Sequence, residues 1–203
     1  MMSQEPASRP VSVVVLGHSY VRRLGEYATR SLHTDDFGMS DIRVTFVGMG
    51  GLTLRPRLLR GRRRGYTRGV RRCFQMVAAC NPQVIILHIG ENDLGHVSSS
   101  VIANEILLLI TDLSRRFDCS VYISQLLVWP CNSLDRNDEI CAINAQLTST
   151  LSANYFWRHQ CGLTRATMFL PDHVHLNETG MCRYYRSMRA LVGRAVCNVN
   201  RSL

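Results

Sequence analysis

The chain of 203 residues predicts an α/β fold: a five-stranded parallel sheet with helices on both faces, the three layers of an α/β/α sandwich. Three observations predict it. Short apolar runs alternate with longer segments whose apolar residues recur at three-and-four spacing. The strongest runs, VSVVVL and QVIILHI, are apolar at nearly every position, as strands buried on both faces are. No segment is duplicated, so the pattern reads as five successive βα units and not as a repeat array.

Residues 1–10, MMSQEPASRP, are expected as a disordered tail, with Pro6 and Pro10 keeping it out of regular structure. Residues 11–198 then make one domain and 199–203 a second tail. Val11 to Leu16 is the first strand. Gly17-His18-Ser19-Tyr20 follows and leads into a helix over about 20–33, with Val21, Leu24, Tyr27 and Ala28 in register. Thr34 to Asp41 is a polar connection. Ile42 to Val47 is the second strand, ending in Gly48-Met49-Gly50-Gly51-Leu52-Thr53. Three glycines in four positions fit a tight turn or a backbone that approaches a ligand closely. An arginine-rich connection precedes a helix over Thr67 to Cys80, stopped by Asn81-Pro82. Gln83 to Ile89 is the third strand and runs into Gly90-Glu91-Asn92-Asp93. Ser98 to Phe117 is a helix with serines for an N-cap and Ile102, Ile106, Leu109, Ile110 and Leu113 on its apolar side. Ser120 to Leu126 is the fourth strand, and the loop Leu127 to Asp135 carries Trp129-Pro130. Ile140, Ile143, Leu147 and Leu151 mark a helix from Asp135 to about Trp157. Thr164 to Leu170 is expected as the fifth strand. Pro171 to Leu176 is a loop, and Asn177 caps a last helix running to about Val196.

A hydrophobic fraction of 46% supplies an ample core, and no apolar run reaches the ~18 residues that span a bilayer. The N-terminal residues lack the charged-then-apolar pattern of an export signal, so the expected location is intracellular, cytoplasmic or nuclear. The eight cysteines are scattered without a CxxC pair, as reduced, mostly buried thiols are. Charge is placed unevenly. Between Ile42 and Gly90 there are ten arginines and no acid, and nine of the ten fall within Arg55 to Arg72. Such a block, with Arg62, Arg63, Arg64, Arg68, Arg71 and Arg72 as candidate anion-binding residues, suits phosphates of nucleic acid or anionic membrane. It suits a solvated helix face equally well. The chain contains no lysine, so the choice of arginine carries no information about bidentate recognition.

In parallel sheets of this kind the ligand crevice lies beyond the carboxyl ends of the strands. Four segments follow expected strands and converge there: Gly17-His18-Ser19, the glycine loop, Gly90-Glu91-Asn92-Asp93, and Asp172-His173-Val174-His175. Ser19 sits where a buried strand turns into a helix, a place for an N-cap or for a nucleophile whose developing charge faces the helix N–H groups. A serine hydroxyl needs a base and a third group to orient that base. His175 is the candidate base and Asp172 its orienter, three residues back on one turn. The Ser19 N–H, a glycine N–H from the second loop and the Asn92 amide are candidate donors to an oxyanion.

These four blocks resemble those of the SGNH (GDSL-type) hydrolases, with GHS, VGMGGLT, GEND and DHVHLNETG in order over about Val11 to Val196. The resemblance implies a flavodoxin-like three-layer fold and ester hydrolysis through an acyl-serine, with no metal and no cofactor. It assigns the nucleophile to Ser19, oxyanion donors to Ser19, Gly51 and Asn92, and the Asp-His pair to Asp172 and His175. Gly48 and Gly50 are alternatives to Gly51. GHSYVRRL and the helix around Asn144 are also similar to esterase-like modules of animal retroelements. The chain departs from the family in two places: His18 stands where the family has Asp, and Leu52 replaces an acid or polar residue. The His18 side chain is expected to point away from substrate and help fix the turn.

Bland roles compete for several residues. His173 is a poor base one residue from Asp172, His88 fits a core histidine, and Asp93 fits a brace for its loop. His18, His33, His96 and His159 show no metal-ligand spacing. Trp129, Met49 and Leu52 fit an acyl-pocket wall and core packing equally. Two functions follow. One is a serine esterase acting on a small or lipid-type acyl ester. The other is a catalytically degenerate module of the same fold that binds nucleic acid or anionic membrane through its arginine block. Nothing in the sequence suggests the extended cleft of a peptidase.

Overall fold

The computed structural model describes residues 10–54, 66–130, 134–160 and 162–201. Arg62, Arg63 and Arg64 lie outside the described residues, as does the expected N-terminal tail except Pro10. Five parallel strands form one sheet: β1 (Val11–Gly17), β2 (Ile42–Gly48), β3 (Val84–His88), β4 (Ser120–Ser124) and β5 (Phe156–Trp157). Their order is β2-β1-β3-β4-β5, the flavodoxin-like order, whose direction of winding reverses between β1 and β3. The helices are α1 (Ser19–Ser31), α2 (Arg68–Cys80), α3 (Ser99–Phe117), α4 (Leu134–Thr150) and α5 (Glu178–Asn200). Val13, Val14 and Val15 in β1 and Ile85, Ile86 and Leu87 in β3 are fully buried, because these central strands are covered by helices on both faces.

The register places the site. Gly17 pairs with Gly48 on one side and with His88 on the other, so the carboxyl ends of three strands are level. Gly17 has no room for a side chain, since a Cβ there would lie 2.1 Å from the carbonyl oxygen of His88. At Gly48 a Cβ would lie 2.2 Å from the backbone nitrogen of Arg22 in α1. Gly17 therefore lets β3 and α1 pack closely on the end of β1, and Gly48 lets α1 pack closely on the end of β2.

The fifth strand corrects the sequence expectation. It is Phe156–Trp157, at the end of the helix expected from Asp135 to about Trp157, and not Thr164 to Leu170. Helix α4 stops at Thr150, and after a turn closed by the Tyr155 N–H on the Ser152 oxygen (2.9 Å) two aromatic residues pair with Ile123 and Ser124. A strand of two residues leaves no periodicity to detect. Residues 164–170 hold instead a 3-10 turn, Ala166–Met168, and Phe169 bridges antiparallel to Leu176. Met168 and Phe169 face the core while the backbone of the segment braces the loop at 171–176.

The last helix also runs further than expected, taking in residues 199 and 200 of the expected tail. Ala195 and Val196 stay buried near its end, and the Asn198 amide donates to the Tyr122 hydroxyl at 3.2 Å. No helix among the described residues is long and apolar enough to cross a membrane. The six described cysteines are all free thiols.

Candidate active site

Ser19 is the first residue of α1, and His18 before it occupies the N-cap position. The His18 Nδ1 accepts the Tyr20 N–H, at the long distance of 3.5 Å. The N-cap role weighed for Ser19 thus falls to its neighbour. Ser19 itself is half-buried and contributes one of the N–H groups that have no acceptor within a helix.

Asp172 and His175 meet. The Asp172 Oδ2 lies 2.7 Å from the His175 Nδ1, and its Oδ1 accepts the N–H groups of Val174 (3.0 Å) and His175 (2.9 Å). Burial works to raise the Asp172 pKa, but the hydrogen bonds from the His175 N–H, the His175 ring and the Val174 N–H outweigh it and bring it down to about 2. A carboxylate that stays ionised fixes Nδ1 of His175 as the protonated nitrogen and turns Nε2 outward as the basic one.

The loop bearing this pair is held from three sides. The Leu170 N–H donates to the His175 oxygen at 2.7 Å. The Asn177 side chain caps α5 by accepting the Gly180 N–H at 3.0 Å, and its amide donates back to the oxygens of Thr167 (2.9 Å) and Phe169 (3.2 Å). The buried Tyr20 hydroxyl donates to the Val174 oxygen, and its ring meets that of His175 edge-on at 6.4 Å. Tyr20 therefore ties the Asp-His loop to the residue after Ser19. Burial first, and then the charge of Glu91, push its pKa up, so the hydroxyl remains a donor.

The glycine loop and the Gly90–Asp93 segment are also joined. Met49 to Leu52 is a turn closed by the Leu52 N–H on the Met49 oxygen (3.2 Å), with Gly51 at φ +68°. The Asn92 amide donates to the Leu52 oxygen at 2.9 Å. An amide carries two hydrogens, so a second remains for a ligand. Asp93 accepts the Leu54 N–H on both oxygens, at 3.2 and 3.0 Å, and braces the same loop. Gly50 and Gly51 are open above their Cα atoms, whereas Gly48 is filled by α1. Leu52 and Trp129 are buried in the core, with Met49 packed partly buried against it. On the β4 side the Asn144 side chain holds both backbone polar groups of Leu126, at 3.0 Å each.

One cluster went unseen in the sequence. Glu91 is buried between His18 (Nε2 to Oε2, 2.7 Å) and His88 (Nε2 to Oε1, 2.8 Å). The three donor atoms lie within 4.8 Å of one another, a spacing that suits a metal ion as well. The carboxylate touches both rings directly, so the set also closes on itself without one. His88 is a buried strand residue, as expected of a core histidine, and its Nδ1 is 2.7 Å from the Ser124 Oγ. The signal available was Glu91 itself, an acid three residues after the histidine that ends an otherwise apolar strand.

Arg68, Arg71 and Arg72 are exposed on α2. Beside them, Tyr66, Arg71, Phe74, Asp112, Arg115 and Arg116 line a surface concavity of about 500 Å³ between α2 and α3. The Arg116 guanidinium stacks over the rings of Phe74 (5.4 Å) and Phe117 (5.9 Å).

No family model and no curated protein matches the chain. Solved structures do. The chain is similar to an acetyl xylan esterase, AlAXEase, at 17% identity and a TM-score of 0.65, covering 90% of this chain and 100% of that one. It is similar to a carbohydrate esterase family 3 protein from Talaromyces cellulolyticus at 15% identity, with a TM-score of 0.61 over 94% and 99% of the two chains. A psychrotrophic esterase, EstA, from Pseudoalteromonas sp. matches at 13% identity and a TM-score of 0.61, over 90% and 97%. At these identities the likeness is one of fold: a parallel sheet between two layers of helices, shared with these esterases.

Proposed function

We propose that the chain is a serine ester hydrolase of the SGNH type, acting on a small or lipid-type acyl ester. The Asp172–His175 hydrogen bond of 2.7 Å, tied through Tyr20 to the turn that carries Ser19, supports this most directly. In the proposed reaction the Ser19 Oγ attacks the ester carbonyl and gives its proton to the His175 Nε2. Asp172 accepts the Nδ1–H and stabilises the imidazolium. Negative charge develops on the carbonyl oxygen and is received by the N–H groups of Ser19 and Gly51 and by the second hydrogen of the Asn92 amide. His175 then protonates the leaving alcohol, and an acyl-serine remains. Water, deprotonated by His175, attacks the acyl carbon and releases the carboxylic acid and free Ser19. The three esterase neighbours share the fold on which this chemistry is read.

The test is labelling by a fluorophosphonate probe of the wild type, Ser19→Ala and His175→Ala. Labelling of the wild type and its loss in both variants is the expected result. A folded wild type that takes no label overturns the esterase reading.

The concavity between α2 and α3 favours a second reading, which is compatible with the first. Three guanidinium groups and two aromatic rings around about 500 Å³ suit an anionic ligand with planar groups, as single-stranded nucleic acid is.

A further inference from the structure

Behind the turn of Ser19 lies a carboxylate that the acyl-transfer scheme does not use. Glu91 is buried, with a side chain 2% exposed, and such a group is kept ionised only by partners that replace its water. His18 and His88 are those partners. Burial works to raise the Glu91 pKa, and the neighbouring His88 and His18 outweigh it and hold it well below the ordinary range.

The hydrogen-bond network assigns the directions of the bonds. The His18 Nδ1 faces the Tyr20 N–H and acts as an acceptor, so the ring proton is on Nε2 and points at Glu91. The Ser124 Oγ lies 2.7 Å from the His88 Nδ1 and 3.1 Å from the Leu87 oxygen, and its hydrogen, given to Nδ1, leaves the His88 ring N–H on Nε2, the side of Glu91. The His88 Nε2 then faces the second oxygen of Glu91 at 2.8 Å, off the line of a well-formed hydrogen bond. Tyr20 and Tyr184 pack their rings on His88 at 5.3 and 5.4 Å and close the cluster from water.

What the cluster joins gives it a use. His18 precedes Ser19, and Glu91 precedes Asn92. The direct backbone link between the two segments is long, 3.4 Å from the His18 N–H to the His88 oxygen. We propose that Glu91 is a positioning residue for the acyl-transfer site, an inference that rests on the esterase reading. By gripping His18 it fixes the distance between the Ser19 N–H and the Asn92 amide, two donors to one oxyanion. His18 offers Glu91 a ring N–H, a donor that an aspartate at that position would not supply.

The direction of the bond is what an experiment can reverse. His18→Gln keeps an N–H donor at similar reach. His18→Glu sets carboxylate against carboxylate. Glu91→Gln removes the charge, and the pair His18→Glu with Glu91→Gln restores a donor and an acceptor with their roles exchanged. Each variant is assayed for kcat and KM on a short-chain p-nitrophenyl ester, with kcat corrected for the folded fraction from circular dichroism. Glu91→Gln and His18→Glu should lower kcat by about 10²-fold, with KM within about threefold, since oxyanion donors act in the transition state. His18→Gln should stay within about tenfold of wild type, and the double variant should recover at least about tenfold over His18→Glu. A folded Glu91→Gln with wild-type kcat overturns the proposal, as does a double variant no better than His18→Glu. So does a wild type inactivated by chelation and restored by Zn²⁺, which would assign the same three side chains to a metal. A wild type without esterase activity removes the esterase reading itself and is recognised before any variant is compared.

Discussion

Replacing Gly17 by alanine moves the turn that carries Ser19, the proposed nucleophile, by an amount that can be worked out. The added Cβ would lie 2.1 Å from the carbonyl oxygen of His88 and 2.7 Å from Cγ2 of Val21. A carbon and a carbonyl oxygen rest at about 3.3 Å, so the end of β1 must withdraw from β3 by about 1.2 Å. The oxygen cannot yield instead, because it is backbone at the end of a buried central strand paired on both sides. Ser19 moves with the turn, while Asn92 stays with β3. Misplacement by about 1 Å costs on the order of 10² in rate. Overpacking of this kind also costs about 1–3 kcal/mol of stability, or roughly 3–10 °C in a domain of this size. The assay is the second-order rate of fluorophosphonate labelling, measured beside thermal unfolding. Gly50→Ala is the control, since a Cβ there meets nothing within 4 Å. A Gly17→Ala protein that folds and labels at the wild-type rate would refute the reasoning.

Two more predictions concern other parts of the molecule. The ring nitrogens of His159 are covered although the residue as a whole is only half-buried, and burial, with the neighbouring His88, depresses its pKa from 6.5 to about 3. Between those values the unfolded chain holds a proton there that the folded chain does not. Stability should therefore fall with pH from 6.5 toward 3, by up to about 1.4 kcal/mol per pH unit from this residue. Urea unfolding of wild type and His159→Gln at pH 7 and pH 5 checks this, and equal pH slopes would count against it. For the surface concavity, Arg115→Glu with Arg116→Glu should weaken binding of single-stranded RNA and flatten its salt dependence, with ester hydrolysis unchanged. Binding measured by fluorescence anisotropy at two salt concentrations decides it, and an unaltered affinity would exclude this surface.

What the sequence disclosed, and what it withheld, follows from the range of the interactions. The four longer strands are legible because burial on both faces writes a continuous apolar run, as in Val13-Val14-Val15 and Ile85-Ile86-Leu87. The fifth is two residues long and writes nothing. The Asp172–His175 contact is legible because the two residues share one turn, so spacing alone brings them together. The Glu91 cluster is not, because residues 18, 88 and 91 meet only through the register that sets Gly17 beside His88. That register changes the meaning of the departure from the resembled pattern that lies nearest Ser19. Taken alone, His18 in place of an aspartate is a lost carboxylate. Opposite Glu91 it is a donor to a buried carboxylate, and the cost of burying Glu91 is offset in part by that donor. The two positions should therefore tolerate change together and not singly, which is the coupling that the double substitution measures.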